Sequence, residues 1–174
     1  MNYNKSQALT DNINAIRTAF LLKAECRAAN REEKAILEKY SGFGGLKCIL
    51  DTRPVEEWPA TEKMLFPLVE ELKQVIKENS DSESTAESFY RSLKNSVLTA
   101  FYTPEQIVKT IGKQIENSTK GNIDYMLDPS CGNGVFLNFT EKKVYRTAYE
   151  KDLLTGLILS AKEPGTEVRI EGFE

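Results

Sequence analysis

Between Tyr125 and Ile170 the chain changes pattern every few residues, and that alternation restricts the fold more than any other feature. Tyr125-Met126-Leu127 is an apolar run that ends in Asp128, and Gly132-Asn133-Gly134 follows at once. The run predicts a strand over about 124–127, the glycines a tight turn, and Val135-Phe136-Leu137 the start of a helix. A second strand is predicted over 144–149, a helix over 153–161 and a third strand over 168–170. Strand and helix alternating at this spacing build right-handed βαβ units, so the expectation is an α/β chain with three parallel strands. A strand that stops at a glycine turn and leads into a helix start offers free backbone N–H groups to a ligand. It is the build of a nucleotide-type binding corner.

The residues before this alternation read as helical. From Ser6 to about Ala29, Ile13, Ile16, Phe20 and Leu21 recur near helical spacing, and Arg31 to Tyr40 continues with Ala35, Ile36 and Leu37. A glycine-rich turn follows, Gly42-Phe43-Gly44-Gly45, read as a helix C-cap with a tight turn in which Phe43 packs, with a backbone loop over cofactor or DNA as the other reading. Thr61 is predicted to cap a helix reaching Lys77, with Leu65, Leu68, Val69, Leu72 and Ile76 along one stripe. Asn79 to Ser84 is a polar break, and a further helix is predicted from Thr85 or Ala86 to Asn95. Pro104 should stand in the first turn of another helix, which carries Ile107, Val108, Ile111 and Ile115 and ends at Gly121. Two parts follow: a helical subdomain over 1–95 and a sheet part over 96–174.

Composition closes several other routes. Histidine is absent, which removes the commonest general base and metal ligand. The cysteines, Cys26, Cys48 and Cys131, stand at wide spacings that match neither a disulfide framework nor a zinc site, so no metal is expected. A formal charge of −3 speaks against a surface that grips nucleic acid all over. No run suits a membrane span or a signal peptide, and the expected location is the cytoplasm. Without Gly-Lys-Ser/Thr there is no phosphate-binding P-loop, and Gly132-Asn133-Gly134 lacks the third glycine of a dinucleotide fingerprint.

Phe101-Tyr102-Thr103-Pro104, then Asp128-Pro129-Ser130-Cys131-Gly132-Asn133-Gly134-Val135-Phe136-Leu137, then Tyr149-Glu150 and Glu171-Gly172-Phe173-Glu174, occur in a telling order. In that order they resemble the cofactor half of adenine-specific DNA methyltransferases whose cofactor motif precedes the catalytic one. Type I restriction-modification subunits and the helicase–methylase proteins of phages and conjugative elements share it. Tyr40-Ser41-Gly42-Phe43-Gly44-Gly45-Leu46 is similar to a segment of the helicase–methylase group, which is the nearer resemblance. The likeness covers roughly residues 36–50 weakly and 97–174 well.

The resemblance implies a partial Rossmann-like methyltransferase fold that binds S-adenosylmethionine. Tyr102, Thr103 and Pro104 would sit at the donor's amino-acid end, with Thr103 offering donors to its carboxylate. The loop Asp128, Pro129, Ser130, Cys131, Gly132, Gly134 and Phe136 would hold the same end, with Asp128 attracting the ammonium. Glu150, beside Lys151, would accept from the ribose hydroxyls, about twenty residues after Asp128 as in dinucleotide sites. Phe173 and Glu174 would border the adenine, although many relatives carry an aspartate where Gly172 stands. Relatives place an Asn/Asp-Pro-Pro-Tyr/Phe tetrad after a fourth strand, where it holds and stacks on the target adenine. No adjacent Pro-Pro pair occurs in this chain, so no catalytic residue is assigned and the polypeptide alone is expected to be inactive. DNA would be the partner of the intact enzyme. The first strand would then be left as a bare edge, expected to be covered by the N-terminal helices or by a second copy in a homodimer. Two alternatives accompany this reading: a protein or RNA methyltransferase, and a non-catalytic helical module that binds DNA or protein beside a relic fold.

Overall fold

Apolar residues at helical spacing give the first half of the chain its elements, and period-two segments between glycine turns give the last part its strands. The computed structural model describes residues 4–140 and 144–174. It contains six α-helices, α1 (Lys5–Ala24), α2 (Arg31–Leu37), α3 (Phe66–Glu78), α4 (Glu83–Thr99), α5 (Glu105–Thr119) and α6 (Leu153–Lys162), and three strands, β1 (Tyr125–Asp128), β2 (Tyr145–Tyr149) and β3 (Thr166–Arg169). The strands form one parallel sheet in the order β1-β2-β3, with Tyr125 opposite Tyr145 and Arg146 opposite Thr166. The chain is therefore α/β with a three-stranded parallel sheet, as expected.

Several boundaries differ from the sequence reading, each for a local reason. The first helix stops at Ala24 and not Ala29, because Glu25 closes it and Cys26 takes a left-handed backbone with φ 50°. The second stops at Leu37 and not Tyr40, and Asn30 opens it with a reciprocal capping box to Glu33. Thr61 caps nothing. Pro67 cannot sit beyond a first turn, so α3 starts at Phe66 after a 3-10 turn over Lys63–Leu65. Ser82 accepts from Thr85 N, so α4 begins earlier than Thr85 and runs past Asn95 to Thr99. The segment after the glycine turn is a single 3-10 turn, Val135–Asn138, not an α-helix. At the third strand, pairing starts at Thr166 and ends at Arg169.

Two apolar clusters hold the molecule. The larger joins Leu9, Ile13, Ile16 and Phe20 of α1 to Val69, Leu72 and Ile76 of α3, Leu93 and Val97 of α4, and Leu154, Leu157 and Ile158 of α6. The smaller consists of Cys131, Leu137, Ala148 and Leu159, with Met126 and Val168 packed against it. Helix α6 belongs to both, so it carries the sheet onto the helices. Helix α5 packs beside β1 on the 3-10 turn Val135–Asn138 and Phe139, its buried residues being Val108 and Gly112. No described helix lies on the sheet face that carries Tyr125, Leu127 and Tyr145.

The β1 edge is open. The N-terminal helices pack on the α6 side and do not cover it, contrary to one half of the expectation, because the apolar faces of α1 and α4 are already used against α6. Tyr145 N donates to Asp124 O at 3.0 Å, which in a parallel ladder turns the N–H and C=O groups of Tyr125 and Leu127 to the free side. Along that side, Tyr125 and Leu127 join Ile111, Ile115, Phe136 and Phe139 in an apolar groove of about 430 Å³.

Candidate functional site

The carboxyl ends of parallel strands are where loops converge, and here they converge on the C-terminal half of α4. Between the two lies a cleft of about 650 Å³. Its floor and one wall come from Tyr102, Ser130, Gly132, Glu150, Lys151 and Asp152, and the opposite wall from Ser88, Arg91, Ser92, Asn95 and Thr99. The volume suits a small molecule of nucleoside size.

The glycine loop is stitched to the strands beside it. Cys131 N donates to Tyr149 O at 2.9 Å, extending the β1–β2 ladder into the turn, and Gly134 N returns to Cys131 O at 2.8 Å. The Lys162 ammonium at the end of α6 donates to Asn133 O and so ties the loop's outer arm to that helix. Burial lowers the Lys162 pKa, and the Glu163 carboxylate opposes this. Cys131 is buried, and its thiol is pushed up to about 12 by burial with Glu150 and Asp128 adding to it, so it stays protonated and serves packing.

Glu150 ends β2 in the cleft. Its Oε1 accepts from Asp152 N at 2.7 Å, while Glu150 N donates to Arg169 O at 2.9 Å. Burial raises its carboxyl above the usual range; the Asp152 N–H opposes this and the Asp152 charge reinforces it. Asp152 caps α6 by accepting from Thr155 N at 2.7 Å, and it takes Ser92 Oγ at 2.8 Å. Ser92 Oγ in turn accepts from Leu153 N at 2.9 Å, so α4 is pinned to the start of α6 beside the cleft.

Tyr102 links both glycine segments. A Cβ on Gly132, which has φ +53°, would lie 2.7 Å from one edge of its ring, and a Cβ on Gly42, with φ +77°, would lie 2.6 Å from the other. Both positions thus require glycine for backbone and for space. The Tyr102 hydroxyl reaches Thr155 Oγ1 at 3.5 Å, and Tyr40 Oη meets the same atom at 2.7 Å. Burial pushes the Tyr102 hydroxyl up to about 12, so it remains neutral. Asn12 holds the Gly42 segment from below, donating to Gly42 O at 2.7 Å and accepting from Ser41 N at 2.9 Å, and Phe43 is fully buried. The segment packs, as the sequence suggested. It lies well past the end of α2, so it is not that helix's cap.

The sequence-assigned residues fall into three places. Tyr102, Ser130, Gly132, Glu150 and Lys151 line the cleft together. Asp128 and Phe136 line the apolar groove beside β1 instead. Asp128 Oδ1 accepts from Ser130 N at 3.1 Å while its Oδ2 is buried without a partner, and burial raises its pKa. Thr103 and Pro104 stand at the start of α5, which has no side-chain cap, so Thr103 does not cap it. Pro129 is exposed, and Gly134 turns with φ +82° under Leu159. Beyond β3, Phe173 meets the Tyr149 ring edge-on at 5.1 Å and Glu174 pairs with Lys151 at 3.6 Å.

The polar wall from α4 was not assigned from sequence. A signal for it exists: Ser88, Ser92, Asn95 and Thr99 form an uncharged polar stripe opposite Ala86, Leu93 and Val97. Among the described residues no three His, Cys, Asp or Glu side chains cluster as a metal site, and no helix is long and apolar enough to cross a membrane. Compared with protein-family descriptions, with curated proteins and with solved structures, the chain finds no match.

Proposed function

We propose that the cleft is an S-adenosylmethionine site and that the chain is the cofactor-binding part of a Rossmann-like DNA adenine methyltransferase. One observation carries the reading: a half-buried carboxylate, Glu150, ends the middle parallel strand in the same cleft as a left-handed glycine loop and Tyr102. In open parallel sheets, ligands lie across the carboxyl ends of the strands, and an acid there accepts from two vicinal ribose hydroxyls. The remaining lining fits such a donor. Ser130, Asn95 and Thr99 supply hydroxyl and amide groups for its polar parts, and Phe101, Tyr102 and Leu153 supply apolar surface for its rings and thioether chain. When bound, the donor supplies an electrophilic methyl group on sulfur; this chain's residues bind and orient it.

The acceptor side rests on the order of the sequence motifs, which resembles adenine methyltransferases acting on DNA. The 174 residues contain no adjacent Pro-Pro pair, so they offer no tetrad to hold a flipped base, and we expect no methyl transfer from this polypeptide alone. Partners in this reading are DNA, for the intact enzyme, and a second copy at the β1 edge; the site of action is the cytoplasm.

Calorimetric titration with S-adenosylhomocysteine tests the proposal. Saturable one-to-one binding by the wild-type chain is expected, with Glu150→Ala weakening it at least about tenfold, the cost of losing hydrogen bonds to a charged acceptor. No binding, or an unchanged affinity in the variant, contradicts it and favours a helical module that binds DNA or protein.

A further inference from the structure

We propose that Arg91, with Asn95 one turn further along α4, forms the anion subsite of the cleft and takes the carboxylate of the ligand's amino-acid end. This rests on the reading of the cleft as an S-adenosylmethionine site. Residues four apart lie on one face of a helix, and both side chains line the cleft that holds Glu150.

The other cations nearby are engaged. Lys162 is held by Asn133 O, and Lys151 pairs with Glu174. Elsewhere Arg17, Arg27, Arg53 and Arg169 each hold a carboxylate; Arg91, like Arg31 and Arg146 outside the cleft lining, makes no ion pair among the described residues. The Asp152 oxygens beside the wall are taken by Ser92 and by Thr155 N, and neither forms an ion pair with Arg91. Thr103, the residue to which the sequence assigned this role, does not line the cleft.

A nucleoside thioether with an amino-acid tail carries one anionic group, its carboxylate. A planar guanidinium meets that group through two parallel N–H···O bonds, and the neighbouring amide of Asn95 adds a neutral donor. The helical part of the chain would thus supply one end of the ligand site, and the sheet part the ribose contact.

Two ligands separate the possibilities. S-Adenosylhomocysteine carries the carboxylate; 5′-methylthioadenosine keeps the nucleoside and sulfur but lacks the amino-acid end. Arg91→Gln, at an exposed position, should keep the circular dichroism and melting temperature of the wild type. Calorimetry should show it weakening S-adenosylhomocysteine about tenfold or more while 5′-methylthioadenosine binds as in the wild type. Arg91→Lys should recover part of the loss, because the charge returns without the fork. Equal loss for both ligands, or no loss for either, overturns the carboxylate assignment while leaving the cleft's ligand class intact. A wild-type chain that binds neither ligand overturns both.

Discussion

The two faces of the sheet are built from the same three strands and are buried very differently. On one face, Leu154, Ile158 and Leu159 of α6 are at most 2% exposed, because that helix is roofed by α1 and α4. On the other, Tyr125 and Leu127 of β1 and Tyr145 of β2 are 59%, 42% and 81% exposed. The difference shows where the stability of the sheet comes from. Its own cluster has four buried members, so the strands are held by being anchored through α6 to the helices, and the open face contributes little.

The strongest way to break this comparison is Leu154→Ala. Leu154 is fully buried at the junction, and truncation there should cost about 2–5 kcal/mol. Helix and sheet signals should melt together in one transition at a lower temperature. Two separate transitions, with the sheet unaffected, would show that the faces do not differ as described.

Gly132→Ala probes the same dependence at the cleft. Its Cβ would lie 2.7 Å from the Tyr102 ring at φ +53°, so we expect a loss of about 1–3 kcal/mol together with weaker ligand binding. A variant with wild-type melting and wild-type affinity for S-adenosylhomocysteine would refute the role given to Tyr102 as the link between the glycine segments.

Glu150→Gln should separate binding from stability. Burial holds the Glu150 carboxyl above its usual range, so its contribution to folding is fully present below the unfolded carboxyl pKa and is lost as pH rises through the folded one. At neutral pH the ligand-free variant should therefore melt above the wild type, the gap closing on acidification, while affinity falls. A lower melting temperature at pH 7 would mean that the Asp152 N–H bond outweighs burial.

The smallest effect is expected in the groove beside the open β1 edge. Ile115→Ala should change stability by less than about 1 kcal/mol, since its side chain is more than a third exposed. A loss matching that of Leu154→Ala would mean that something covers this groove in solution. Light scattering then distinguishes a second copy. In a two-fold antiparallel pairing centred on Met126, Asp124 would oppose the partner's Asp128, a repulsion that such a dimer must overcome.

Elements whose pattern matched their surroundings were legible in the sequence. The strands around Leu127 and Ala148 were bounded by an acid, glycines and apolar runs, and they pair as the βαβ spacing required. Boundaries differ from the periodicity where a second local signal decides them. Pro67 forbids a helix from Thr61, and Ser82 is a stronger opening than Thr85. Cys26 carries a left-handed turn without any glycine to announce it. The site was legible as far as it lies on the strand ends: Tyr102, Ser130, Gly132, Glu150 and Lys151 share one cleft. Its other wall was not, because α4 reaches the cleft only through tertiary packing of Ser92 on Asp152 and Leu153, more than fifty residues away. Adjacency in sequence groups Asp128 with the cleft, but its place at the end of an edge strand turns it to the groove.

A crystal structure of the chain with sinefungin, a non-transferring analogue of the donor, tests the central claim most directly. The expected result is a nucleoside lying across the ends of β1 and β2, with its ribose hydroxyls on the Glu150 carboxylate and its amino-acid end toward Arg91. Sinefungin bound elsewhere, with Glu150 still turned to Asp152 N in a cleft free of ligand, would contradict the account.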